Sequence, residues 1–158
     1  FKNGISVIDL GAAPGSWSQY ASKKIKNGKI VSIDLKDMEK IDNNVQIKGD
    51  FTEKTNQSKI KDLFKYKADV VLSDMATNTT GIKNIDSIYI SELCKEAILF
   101  CREMLNINGK FVSKIFMGST FNEIVAEAKL VFKEVKVFKP KSSRKYSKES
   151  FIICKNLR

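Results

Sequence analysis

The stretch Ile5-Ser6-Val7-Ile8-Asp9-Leu10-Gly11-Ala12-Ala13-Pro14-Gly15-Ser16-Trp17 decides the fold. Its first six residues form a short β-rich apolar run closed by Gly11, the pattern of a buried strand. Small residues and two glycines follow, which let backbone come close to a ligand and turn the chain into a helix. Ser16, a residue type that caps helices, opens that helix, and Trp17, Tyr20, Ala21 and Ile25 give it an apolar stripe. Asn27-Gly28 stops it after Lys26.

Outward from this unit the pattern repeats. Lys29 to Asp34, Val45 to Lys48 and Ala68 to Ser73 read as strands, with Ile60, Leu63 and Phe64 at helical spacing before the last of them. A polar loop from Thr77 to Asp86 leads into a long helix containing Leu93, Ala97, Leu99 and Leu105, ended by Asn108-Gly109. Lys110 to Phe116 is a strand, Phe121 to Phe132 a helix, and Val135 to Phe138 and Phe151 to Cys154 are the last strands. Alternation of this kind predicts an α/β sheet with helices on both faces. The connection between the last two strands is short for a parallel crossover, so an antiparallel hairpin at the sheet edge is expected. No internal repeat or low-complexity linker divides the chain, and residues 1–158 are expected to form a single domain.

Composition narrows the chemistry. The chain has no histidine, which removes Ser-His-Asp and Cys-His machinery and the commonest zinc ligand. Cys94, Cys101 and Cys154 lie far apart, so buried free thiols are expected rather than a metal site, in a reducing, cytoplasmic compartment. No apolar run approaches the length of a membrane span. The formal net charge of +10 points to a polyanionic partner, nucleic acid before membrane. Basic residues crowd the tail after Leu130, where Lys133, Lys136, Lys139, Lys141, Arg144, Lys145, Lys148, Lys155 and Arg158 face only Glu134 and Glu149.

Ligands of such a sheet bind beyond the carboxyl ends of its strands. Four carboxylates fall there: Asp9, Asp34, Asp50 and Asp74. Any one of them alone reads as an ordinary strand-end residue or helix cap; four in register beside a glycine-rich first turn do not. The turn is neither GxGxxG nor a P-loop, so a nucleoside-type ligand without phosphate is favoured over a dinucleotide, with Asp34 accepting from ribose hydroxyls. An NAD-dependent oxidoreductase is the enzyme alternative on the same acid.

The residues also carry a family pattern. It runs through Asp9 to Gln19, Asp34-Leu35, Gly49-Asp50-Phe51, Ser73-Asp74-Met75-Ala76, Phe111-Val112-Ser113-Lys114-Ile115-Phe116, and Lys139-Pro140-Lys141-Ser142-Ser143-Arg144 with Ser147 and Glu149. In that order, over essentially the whole chain, it resembles the FtsJ-type ribose 2′-O-methyltransferases. Ser73 to Ala76 is most similar to the bacterial branch that acts on a uridine of large-subunit ribosomal RNA. A tRNA anticodon-loop enzyme is the alternative, and a non-catalytic RNA-binding module a more distant one.

The resemblance implies the methyltransferase variant of the Rossmann sheet, seven mostly parallel strands with the last antiparallel. It implies S-adenosyl-L-methionine as cofactor, bound by Gly15 and Trp17 in the first loop, Asp34 at the ribose, Asp50 near the adenine and Asp74 near the reacting end. It implies a Lys-Asp-Lys-Glu tetrad at the target ribose, of which Asp74, Lys114 and Glu149 are the catalytic members matched here. The first lysine of the tetrad belongs to a helix preceding the first strand. Lys2 is too near that strand to replace it, so the N-terminal helix is expected to be missing and the site incomplete. Thr77 stands where many members have proline, which leaves that loop less stiff.

Lys114 lies inside an apolar strand, where lysine is rarely buried without purpose. It could serve as a neutral base or as a charged donor that orients the hydroxyl. Lys139, Lys141 and Arg144 are the expected RNA contacts. The expected partner is ribosomal RNA within the large subunit or a precursor, met by a monomer without metal or membrane.

Overall fold

The computed structural model describes residues 1–75, 80–141 and 149–158, with backbone alone at 83 and 84. The elements run β1 (Ser6–Leu10), α1 (Ser16–Lys24), β2 (Lys29–Asp34), β3 (Asn44–Lys48), α2 (Lys54–Asp62), β4 (Ala68–Ser73), α3 (Lys83–Met104), β5 (Leu105–Phe116), α4 (Phe121–Val131), β6 (Phe132–Phe138) and β7 (Glu149–Leu157). One sheet holds the strands in the order β3-β2-β1-β4-β5-β7-β6. The strands from β3 to β5 pair in parallel, and β7 runs antiparallel between β5 and β6. The expected α/β architecture and edge hairpin are therefore present. The chain winds from β1 out to β3 and then returns to β4 on the other side of β1. That reversal puts the topological switch point between β1 and β4.

Alternation along the strands separates two faces. On one face Ile8, Leu10, Val31, Ile33, Val71, Phe111 and Ile115 join α2, α3 and α4 in the main core. On the other, Val7, Ile30 and Leu72 pack under Ala21 of α1 and Ile25, which caps that helix. This second face changes character toward the carboxyl ends. Val7 is followed two residues on by Asp9, Ile30 by Ser32 and Asp34, Leu72 by Asp74, and Val112 by Lys114. Period-two geometry thus gathers the polar side chains on the α1 face at one edge.

Several local expectations are corrected. Ser16 does not cap α1: Gly15 holds that position at φ 114°, with no side-chain cap, and Ser16 is the first helical residue. Tyr20 is exposed rather than part of the apolar stripe, and so is Leu99 of α3. Asn108-Gly109 does not end α3, which stops at Met104. Leu105 instead pairs with Ala68 and Lys110 with Val70, so the intervening residues bulge within β5. Asn106 Nδ2 pins that bulge by donating to Asp69 Oδ1 at 2.5 Å. β6 and β7 are longer than expected because they pair with each other from Phe132–Leu157 to Phe138–Phe151. α3 begins earlier, at Lys83, and takes Asp86 into its first turn. The expected loop from Thr77 lies partly outside the described residues.

Candidate active site

The first loop is built by two glycines. Gly11 has φ 71°, and a Cβ there would lie 2.7 Å from Met75 Cα, so the loops after β1 and β4 touch at the switch point. The amide of Asp74 donates to the carbonyl of Leu10 at 3.0 Å across the same junction. Gly15, also at positive φ, brings the helix start within 3.0 Å of Ile41 Cδ1 measured from an added Cβ. The first hydrogen bond of α1 runs from the Gln19 amide to the Gly15 carbonyl. The amides of Ser16, Trp17 and Ser18 thus lie ahead of the intrahelical ladder, as helix geometry requires.

Asp34 ends β2 and points back to this loop. Its Oδ2 accepts from the Ala13 amide at 3.0 Å and its Oδ1 from the Lys36 amide at 2.8 Å. Asp50, two residues past β3, accepts from the Thr52 amide at 2.8 Å and the Thr52 hydroxyl at 2.7 Å through Oδ1. Both acids serve as turn-capping residues, and both keep acceptor capacity beyond those bonds. Trp17 turns its ring onto Phe151, 6.0 Å between centroids. Phe151 is the β7 register partner of Lys114.

Beyond the switch point the chemistry is ionic. Lys114 Nζ lies 2.5 Å from Asp74 Oδ1 and 3.9 Å from Glu149 Oε1. The Asp74 approach is an ion contact set off the axis of an aligned hydrogen bond. The Lys114 side chain is 18% exposed, the Asp74 side chain 36% and that of Glu149 49%, so the cluster opens toward solvent from its acidic side. Three strands converge on it: β4 supplies Asp74 just past its end, β5 supplies Lys114, and β7 opens with Glu149.

In the sequence Asp9 is only one of four strand-end acids; in the fold it stands apart. It is fully buried, and Ser18 Oγ donates to its Oδ2 at 2.5 Å. Ser18 and Ser32 hydroxyls lie 2.6 Å apart, and Asn44 Nδ2 donates to Ser32 Oγ at 2.8 Å. This polar chain ties α1 to β1, β2 and β3. Sequence reading missed Ser18, Ser32 and Asn44; the available signal was Ser32, a small polar residue on the α1-face parity inside an apolar strand.

The residues fit a nucleoside ligand that carries a cation and no phosphate. Asp34, Asp50 and Asp74 give acceptors and negative charge, Asp9 adds a buried carboxylate oxygen without a protein partner among the described residues, and Gly11 to Gly15 bring no cationic side chain. Lys139 and Lys141 are exposed just past the end of β6, at the same edge as the parallel strand ends. Arg144 lies outside the described residues. A separate cleft lined by Lys61, Phe64, Lys65, Tyr66, Lys67 and Met104 sits at the amino ends of β4 and β5, away from all of these groups. Cys94, Cys101 and Cys154 are free and buried, and burial holds their thiols above the ordinary range. No helix among the described residues is long and apolar enough to cross a membrane.

The family model for FtsJ-like methyltransferases matches residues 1–157. The ribosomal RNA large subunit methyltransferase E of Pelagibacter ubique is 72% identical over 158 residues, covering 100% of this chain and 78% of its own length. The protein of the same name from Rickettsia bellii is 45% identical over 99% of this chain and 71% of its own. A crystal structure from Plasmodium falciparum, described as a ribosomal RNA methyltransferase, superposes with a TM-score of 0.84 at 31% identity, covering 99% of this chain and 88% of that one.

Proposed function

This chain belongs to the FtsJ-like methyltransferase family and is an S-adenosylmethionine-dependent enzyme; from that premise we propose that it methylates the 2′-hydroxyl of a uridine ribose in large-subunit ribosomal RNA. The observation that carries this reading is the Asp74–Lys114–Glu149 cluster beside the glycine loop. The name shared by its relatives supports the choice of RNA.

When bound, S-adenosylmethionine supplies a methyl group already made electrophilic by its sulfonium. Gly15 and the amide of Trp17, which lies ahead of the intrahelical ladder, would hold it at the first loop. Asp34 would accept from the cofactor's ribose hydroxyls, its carboxylate oriented by the Ala13 and Lys36 amides. Asp50 would stand by the adenine and Asp74 by the reacting end. Lys114, held against Asp74, donates to the oxygen of the target hydroxyl, aligns it and stabilises the negative charge that grows there. Asp74 and Glu149 are the acceptors at hand for the proton. Alignment of this kind lowers a barrier by several kcal/mol, up to roughly 7–11 in ideal cases.

Lys139, Lys141 and Arg144 contact RNA phosphate, and the substrate is the large subunit or a precursor of it. The enzyme works as a monomeric single domain in the cytoplasm, without metal. The test is transfer of labelled methyl from S-adenosylmethionine to large-subunit particles, naked ribosomal RNA and tRNA by the complete gene product. Label in particles or ribosomal RNA is expected. Label confined to tRNA would move the chain to the anticodon-loop alternative.

A further inference from the structure

We propose that Asp9 makes the site distinguish the charged cofactor from its demethylated product, by releasing a proton when a cation settles at the carboxyl edge. The inference rests on the reading of this edge as the S-adenosylmethionine site.

The geometry is that of a carboxyl group balanced between two states. Asp9 has no exposure, one oxygen bonded to Ser18 and one without a partner among the described residues. The Asn44, Ser32 and Ser18 donors can all point along the chain toward Oδ2, which favours the charged form. The Ser18 amide works in the same direction, while burial and the neighbouring carboxylates favour the neutral form. β1 lies between β2 and β4, so Asp9 has Asp34 on one side and Asp74 on the other. The Lys114 ammonium of β5 is pinned on Asp74 rather than on Asp9. α1 presents the Ser18 hydroxyl and the Ser18 amide, β2 the Ser32 hydroxyl and Asp34, and β3 the Asn44 amide. Burial, with Asp74 and Asp34 adding to it and Ser18 opposing it, brings the Asp9 carboxyl up to about 7.

A group poised there responds to a single added charge. The sulfonium offsets the repulsion from Asp34 and Asp74 and draws Asp9 into its ionised form. The product has lost that charge with its methyl group and draws it less. Affinity for the cofactor must then rise with pH through neutrality, by at most about tenfold per pH unit, and affinity for the product must rise less. Asp9 acts through the field at the edge, so it is a positioning residue.

The experiment is calorimetry of S-adenosylmethionine and S-adenosylhomocysteine between about pH 5.5 and 8.5, in buffers of different ionisation enthalpy. The expected result is proton release on binding the cofactor near neutrality, less release with the product, and a cofactor-to-product affinity ratio that grows with pH. Asp9→Asn should bind both with a ratio independent of pH. Carboxyl-carbon NMR of the unsubstituted protein gives the same answer without relying on that variant. One aspartate should titrate near neutrality, move down with the cofactor more than with the product, and move up in Ser18→Ala, which removes the bond favouring the charged form. A ratio flat with pH, or no aspartate titrating near neutrality, would overturn the role of Asp9 while leaving the cofactor site standing. Absence of cofactor binding at every pH would instead overturn the reading on which the role rests.

Discussion

At the ends of β2 and β3 the carboxylates bond to backbone amides of the surrounding loops; around β4, β5 and β7 they face an ammonium. Asp34 and Asp50 shape turns first, and their remaining lone pairs inherit a fixed direction from those bonds. Asp74 and Glu149 converge on Lys114 and form a cluster of charge. The same residue type thus performs two jobs. We propose that one half of the edge recognises a ligand by preset acceptors and that the other manages charge during a reaction.

The sharpest way to break that division is Lys114→Ala. Turnover should fall by roughly the 10²–10⁴-fold of a lost acid-base or oxyanion-type group, with cofactor affinity within a few fold of the original. Single-turnover kinetics beside calorimetry measures both, and a variant that loses cofactor binding would erase the boundary between the halves. Lys114→Arg should also lose activity, since the guanidinium fork is larger than an ammonium.

Asp9 belongs to neither group, and its effect should come next in size. Its folded-state value of about 7 stands above the ordinary 3.8, so between these values the folded protein binds a proton that the unfolded chain has released. The contribution of Asp9 to stability therefore falls as pH rises across that window, by at most about 1.4 kcal/mol per unit, and levels off above it. Urea unfolding of the cofactor-free protein should show Asp9→Asn gaining on the original as pH rises from about 4 to about 7. A difference constant with pH contradicts the assignment.

Asp34→Ala tests the recognition half. Removing the carboxylate should weaken cofactor binding by about 1.5–3 kcal/mol, the range for charged hydrogen bonds. Unchanged affinity by calorimetry would reduce Asp34 to a turn residue. The smallest effect is expected at the basic edge: Lys139→Glu and Lys141→Glu should each lower the salt slope of RNA binding by about one unit for every phosphate the variant no longer neutralises. A slope that does not move makes both lysines bystanders.

The recognition half was the more legible part of the sequence. Gly11, Gly15 and the acids after the first four strands follow from strand period and turn chemistry, which are local. Lys114 also showed itself, as a lysine inside an apolar strand. Features set by distant pairing did not. Asn108-Gly109 reads as a helix stop, yet Asn106 is held by Asp69 from β4 and the segment becomes a bulge. Ser16 reads as a helix cap, yet the αL conformation at Gly15 moves the helix start by one residue. Ser18 and Ser32 read as ordinary polar residues until the sheet and α1 bring them 2.6 Å apart over Asp9. A hydrogen-bonded chain of small side chains leaves no periodic trace.

The position of the transferred methyl group tests the proposed chemistry most directly. RNA methylated with labelled S-adenosylmethionine should be digested with alkali and the labelled nucleotide identified by mass spectrometry. Label is expected on a ribose 2′-oxygen of uridine, recovered in an alkali-resistant dinucleotide. Label on a base, released with alkali-labile mononucleotides, would contradict ribose methylation by the Asp74–Lys114–Glu149 cluster.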